Sequence, residues 1–181
     1  MKVRDVYIEN RSVRIVCDSS ADMFALSGVS FAAAPLKIVT AEREYVDDAS
    51  LDVLQMVEQL RSYSGKSSTS CPNVNDCLTA FADAREIFCI TITGTLSGSY
   101  NSACLAGKIY EQENEGCRVL VINSLSTGPE MVLIAEKIRD YISEGLTFDE
   151  ISDSILEYMR GTGLCSFYAE RGGMLVGFER G

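Results

Sequence analysis

No histidine occurs anywhere in the 181 residues. Ser-His-Asp and Cys-His catalysis, His-ligated metal sites and imidazole general bases are therefore excluded within this chain. Any chemistry must use carboxylates, hydroxyls, thiols, Lys, Arg or a partner. Basic residues are scarce as well: 16 Lys and Arg against 26 Asp and Glu leave a formal charge of −10. They form no cluster, and affinity for a phosphate backbone needs clustered cations, so no nucleic-acid partner is expected. No stretch reaches the ~18 consecutive apolar residues of a membrane span, and the opening MKVRDVYIEN lacks the apolar segment of a signal peptide. No integral membrane segment is expected, and the location expected is cytoplasmic. Seven cysteines are present, at 17, 71, 77, 89, 104, 117 and 165, but never in a C-x-x-C spacing. Several sit in apolar runs such as Val13 to Cys17, which reads as reduced core thiols. Two catalytic loops are also missing, G-x-x-x-x-G-K-[ST] and G-x-S-x-G, so the usual templates for phosphoryl and acyl transfer do not fit.

What the chain does have is apolar mass, 46% of its residues. That is enough for one well-buried core, or for one domain and part of a second. Its apolar residues fall into alternating strand-like and helix-like runs. VRIVCD (13–18), LKIVT (36–40), EIFCITI (86–92) and RVLVIN (118–123) are rich in β-branched residues and read as strands. In LDVLQMVEQL, Leu51, Leu54, Val57 and Leu60 recur at three-residue steps, with Val53 and Met56 widening the stripe. This predicts a helix with one buried face, capped by Asp47, Asp48 and Ser50 and broken at Ser64-Gly65. Further helices are predicted near 75–84, over PEMVLIAEKIRDYI with Pro129 in the first turn, and over TFDEISDSILEYM. The acidic pairs Asp47-Asp48 and Asp149-Glu150 read as helix caps rather than paired catalytic carboxylates. The alternation predicts an α/β fold: a parallel, Rossmann-like, three-layer sheet with helices on both faces.

In such sheets ligands bind beyond the carboxyl ends of the strands. Three polar loops fall there or near there: DSSAD (18–22), STSCP (68–72) and TGTLSG (93–98). The third belongs to ITGTLSGSYNSACLAG, in which small hydroxyl and glycine residues follow a buried strand and lead into a helix. Bare backbone N–H groups at a helix start, with hydroxyls beside them, hold an anion. Taken singly, each loop has a plainer reading. Ser and Asp at strand-to-helix turns serve as N-caps, Thr69 and Ser70 would be a helix-entry loop, and Gly94 and Gly98 would relax a tight turn. Three such loops on one edge favour a site.

The segments IVCDSSADM (15–23), APLKIV (34–39), YVDD (45–48), TSCP (69–72), LSGSYNSA (96–103) and VLVINSLSTG (119–128) together resemble the DegV family of bacterial fatty-acid-binding proteins. The pair T-S-x-P and L-S-G-[ST]-Y is the most specific part. The resemblance implies a two-lobed protein that encloses one long-chain fatty acid between its lobes, with no other cofactor and no metal. By the same resemblance Thr69 and Ser97 hydrogen-bond the carboxylate, and Asp18, Ser19, Ser70, Thr93, Gly94, Thr95 and Gly98 form the supporting loops. The implied partner is a fatty acid kinase, which makes an acyl phosphate from ATP while the binding protein does no chemistry itself.

The chain also departs from the family. Asn123-Ser124 stands where the family has Asp-Ser, and by the resemblance the tunnel of the family's second lobe and a carboxylate-side His are expected to lie beyond residue 181. In FYAERGGMLVGFERG (167–181), Met174 takes a position where Arg is expected. Residues 1–160 are therefore expected to form the first lobe, and 161–181 the start of a second. An apolar wall left uncovered would favour a homo-oligomer or a partner lobe. Two other classes remain open: a non-binding interaction module, and a small acyl- or phosphoryl-transfer enzyme using the GTLSG loop.

Overall fold

The computed structural model describes residues 12–161 together with the backbone of two further strands, 166–170 and 173–177. In chain order the elements are β1 (Val13–Asp18), a 3-10 turn (Ser19–Ala21), β2 (Ser30–Ala34), β3 (Lys37–Val39), β4 (Glu44–Val46), α1 (Val53–Ser62), β5 (Ser68–Ser70), α2 (Val74–Phe81), β6 (Glu86–Thr91), α3 (Ser99–Glu113), β7 (Arg118–Asn123), α4 (Pro129–Ser143), α5 (Phe148–Gly161), β8 (Ser166–Glu170) and β9 (Gly173–Gly177). Strands β2, β1, β6 and β7 lie side by side in that order, all parallel. The expected α/β architecture is present.

Alternation along the strands builds the layers, because successive side chains leave opposite faces of a strand. Val13, Ile15 and Cys17 of β1 share one face with Phe88 and Ile90 of β6. Val16 shares the other with Ile87 and Cys89. Helices α4 and α5 cover the first face with Met131, Ile134, Ala135, Ile138, Ile151 and Ile155. On the second, α2 and α3 contribute Cys77, Ala80, Phe81, Ala103, Ala106 and Tyr110. Gly107 lets α3 come close: a Cβ there would lie 3.2 Å from Val119 Cγ1. Cys17, Cys77 and Cys89 are buried free thiols, as the apolar runs suggested, while Cys71, Cys104 and Cys117 are half-buried. Desolvation, with the nearby Asp76 second, pushes the Cys77 thiol up to about 12, so it stays protonated at neutral pH. Cys165 and the opening segment MKVRDVYIEN lie outside the described residues.

Several expectations need correction. The run 36–40 does not join the parallel sheet. Its strand β3 is the centre of a separate antiparallel sheet, β4-β3-β5, and β5 and β2 carry no strong strand signal. Helix α1 forms, but none of its residues is fully buried, and Leu54 is 81% exposed. Val53 and Val57 of its apolar stripe are exposed too, and the helix is tied to the small sheet: Gln59 accepts from Tyr45 of β4 and from Arg43. The α1 cap is Asp52, which accepts from the Gln55 amide; Asp48 instead closes a turn on Ser50. Of the second acidic pair only Glu150 caps, through the Thr147 amide and hydroxyl. Asp149 pairs with Arg118.

Strands β8 and β9 form an antiparallel pair, with Ala169 opposite Met174. Pro129 opens α4 at its first turn, as predicted.

Candidate functional site

The first loop begins where β1 ends. Asp18 is 2% exposed, and its carboxylate accepts from the Ser20 amide at 3.2 Å, from the Ser20 hydroxyl and from the Ile92 amide at 2.8 Å. The Ser99 side chain also hydrogen-bonds it. One buried carboxylate therefore ties the end of β1 to the end of β6 and to the first turn of α3. Ser19, fully buried, uses its hydroxyl to accept the Leu36 amide at 3.0 Å, which anchors the approach to β3. Ser20 adds two links, from its hydroxyl to the Met131 sulfur at 3.3 Å and from its carbonyl to the Gly128 amide at 3.1 Å. Asp18 and Ser19 thus hold other loops in place from beneath.

Burial raises the Asp18 pKa above the ordinary aspartate range; hydrogen bonds from Ser20, Ile92 and Ser99 oppose that without cancelling it. The sign for stability follows. A folded-state pKa above the unfolded value means the native state holds more protons in that interval. The Asp18 contribution is then fully present below the ordinary value of about 3.9 and declines as pH rises through the folded value. In a carboxyl-carbon NMR titration Asp18 should titrate above Asp48 and Asp149, which Ser50 and Arg118 hold below the usual range. A midpoint for Asp18 at or below theirs would show that hydrogen bonding outweighs burial.

The second loop, 92–98, is fastened at both ends. The buried Thr93 donates its amide to the Ser126 carbonyl at 2.9 Å, and its hydroxyl lies 3.1 Å from that of the exposed Thr95. The Gly94 amide donates to Asn123 Oδ1 at 3.1 Å, and Asn123 Oδ1 also takes the Leu125 amide at 3.2 Å. Helix α3 begins at Ser99, with Gly98 in the capping position and no side chain to cap with. Ser97 supplies the missing oxygen: its hydroxyl accepts from the Ser99 amide at 3.2 Å and sits 2.9 Å from the Ser99 hydroxyl. A half-buried hydroxyl at the positive end of a fifteen-residue helix suits an anion.

Thr69 and Ser70 are not a helix-entry loop. They end β5, where Thr69 is opposite Ile38 and Ser70 opposite Lys37. Residues in adjacent positions leave opposite faces of a strand, so the two hydroxyls diverge. On the far side of Pro72, Asn73 and Asp76 form a reciprocal capping box that starts α2. The STSCP and TGTLSG loops meet two residues beyond Thr69 and one beyond Ser97, where a Cβ on Gly98 would lie 3.0 Å from Cys71 Sγ. A Cβ on Gly94 would lie 3.3 Å from Asn123 Nδ2. Neither glycine has a positive φ, so relaxing a tight turn is not their role.

Sequence reasoning passed over three contributors. Asn123, read as a lost carboxylate, is the clasp between the ends of β6 and β7. Ser99, at the first position of α3, links Ser97 to Asp18. Ser126, fully buried, receives Thr93 through its carbonyl, and its own hydroxyl has no hydrogen-bond partner. Only the SLST run after β7, a fourth polar loop on the same edge, could have signalled it. A separate cleft of about 440 Å³, lined by Arg43, Tyr45, Gln59 and Tyr63 among others, lies at the Thr40 end of the small sheet, away from these loops. Among the described residues no group of three or more Cys, Asp or Glu is placed to hold a metal, and no helix is long and apolar enough to cross a membrane.

Comparison with known proteins gives a consistent result. A family model described as "Uncharacterised protein, DegV family" matches residues 12–171. A DegV domain-containing protein of Streptococcus pneumoniae is 43% identical over 155 residues, covering 83% of this chain and 55% of that protein. The chain thus spans about half the length of the curated relatives it matches. Among solved structures, a DegV family protein from Eubacterium eligens loaded with heptadecanoic acid superposes with a TM-score of 0.79 at 43% identity, covering 82% of this chain and 54% of that one. The Streptococcus pneumoniae Fatty Acid Kinase (Fak) B3 protein loaded with linoleic acid gives a TM-score of 0.79 at 42% identity, covering 83% and 55%. With the parallel sheet, the hydroxyl loops at its carboxyl edge and nearly the whole described length matched, this chain belongs to the DegV family.

Proposed function

We propose that this chain holds a long-chain fatty acid by its carboxylate, with the hydroxyls of Ser97 and Thr69 as donors, and presents the acid to a fatty acid kinase. The observation that carries this reading is the Ser97-Ser99 hydroxyl pair at the start of α3, in a fold whose relatives are loaded with fatty acids. Ser97 Oγ accepts the Ser99 amide and, with the Ser99 proton on Asp18, donates to Ser99 Oγ; turning that O–H from Ser99 towards a ligand oxygen supplies the donor. A charge-assisted hydrogen bond of this kind contributes roughly 1.5–3 kcal/mol. Each buried methylene of the tail contributes about 0.8 kcal/mol, so the tail supplies most of the affinity and the hydroxyls fix which end is presented. With no histidine and no phosphate-cradling loop in the chain, phosphoryl transfer falls to the kinase.

The test is the double variant Thr69→Val, Ser97→Ala. Each change removes a donor but little volume, so stability should move by less than about 1.5 kcal/mol. Affinity for a fatty acid should fall roughly 10- to 100-fold while affinity for the matching alcohol barely changes. Unchanged acid binding would remove the carboxylate assignment. In the same preparation acyl phosphate should form only when kinase is added. Turnover by the chain alone that vanishes in Ser97→Ala would make Ser97 a catalytic group and overturn the carrier reading.

A further inference from the structure

Gly98 sits at the capping position of α3 with φ −74° and ψ −3°, a conformation open to every residue. Caps favour Ser, Thr, Asp or Asn, whose side chains satisfy a first-turn amide. Here the cap has no side chain, and the neighbouring Ser97 bonds the Ser99 amide instead. Backbone freedom does not account for the glycine, but the space around it does. A Cβ at 98 would stand 3.0 Å from Cys71 Sγ, well inside ordinary contact. Cys71 is half-buried, follows Ser70 and precedes the buried Pro72, so the chain on its C-terminal side has little room to retreat.

The consequence is geometric. Thr69 is carried by the small antiparallel sheet and Ser97 by the loop leaving the central sheet. Beyond the Ser19-Leu36 bond and the Lys37-Asp76 ion pair at 3.8 Å, the contact of Cys71 with Gly98 brings these two bodies together next to the hydroxyls themselves. We infer that Cys71 and Gly98 form a matched steric seam that sets the spacing of the Thr69 and Ser97 hydroxyls, and so act as positioning residues for carboxylate recognition. This rests on the fatty-acid reading above for the ligand, but the seam itself is a property of the unliganded chain.

The experiment uses Gly98→Ala, Cys71→Ala and the double variant. Amide shifts of residues 69–72 and 96–99 in nitrogen-15 labelled, ligand-free protein report the seam. Affinities for a fatty acid and for its alcohol report the site. Gly98→Ala should shift both loops and weaken acid binding roughly tenfold, leaving the alcohol nearly unchanged. Adding Cys71→Ala should return both the shifts and the acid affinity towards the parent. A general loss of stability would not produce that rescue. The seam is overturned if Gly98→Ala leaves the shifts of 69–72 in place, if acid and alcohol weaken equally, or if removing Cys71 gives no recovery. If the shifts move and recover but the parent binds no fatty acid, the ligand reading fails while the contact between the loops stands.

Discussion

Replacing Asp18 by alanine is expected to cost the fold about 3–5 kcal/mol. The Ile92 amide, the Ser20 amide and hydroxyl, and the Ser99 side chain all use this one carboxylate. A buried donor left without an acceptor loses about 1–3 kcal/mol, which applies in full to Ser99 and in part to the half-buried Ile92 and Ser20, while relief of the carboxylate's own desolvation returns part of the sum. Against a typical total of about 5–15 kcal/mol the remainder is large. Asp18→Asn keeps the shape but turns an NH2 towards one set of donors, so it should fall between parent and alanine. Denaturant unfolding measures the series. An alanine variant within about 1 kcal/mol of the parent would mean that the carboxylate is not the clasp, since a buried group shared by that many donors cannot be removed so cheaply. Because Asp18 joins Ile92 to Ser20 and Ser99, the same variant should loosen the 92–98 loop, seen as faster amide exchange there than in α4.

Phe88→Ala is expected to cost a similar amount, about 3–5 kcal/mol, by a different mechanism. Phe88 is fully buried at the centre of β6, between Ile15 and Leu120 in the register. Its ring stacks on Phe148 of α5 with centroids 4.8 Å apart, and the Arg118 guanidinium lies 4.2 Å from the other ring's centroid. Alanine leaves a cavity among Ile and Met side chains that are themselves fixed by the sheet, so little collapse can fill it. Beyond area, the aromatic pair contributes about 0.5–1.5 kcal/mol. A double-mutant cycle with Phe88→Leu and Phe148→Leu should return that coupling. Zero coupling, or a loss for Phe88→Ala below about 1.5 kcal/mol, would contradict the packing described. The link to function is direct, since β6 delivers the 92–98 loop.

Elements whose side chains report their own surroundings were legible. β1, β6 and β7 announced themselves by β-branched runs, and the seating of Ile15 and Val16 on opposite faces is the period-two signature of strands buried on both sides. Helix α4 was marked by its first-turn Pro129 and its apolar spacing. The placing of DSSAD and TGTLSG beyond the ends of β1 and β6 also followed, because strand-then-helix alternation fixes which edge the turns occupy, whereas STSCP leaves the small antiparallel sheet.

What local pattern could not fix is which surfaces meet. SFAAA carries little strand preference, yet β2 forms because β1 offers unpaired backbone groups and the small alanines fit beneath α2. STS became a strand only by pairing with β3. The three-residue period in α1 was real, but periodicity gives a helix an apolar side without saying what lies opposite, and Val53, Leu54 and Val57 are left exposed. The site divides in the same way. Residue type and helix position made Ser97 a candidate, since a hydroxyl near a helix start has its chemistry written locally. Asn123 as a clasp, Asp18 as a buried junction and Gly98 as room for Cys71 depend on contacts between residues 25 or more apart, as with Asp18 and Ile92, |i−j| 74. Sequence determined which segments would be strands, helices and polar loops; tertiary packing decided which of those loops touch, because close approach is a property of two surfaces and each is encoded separately.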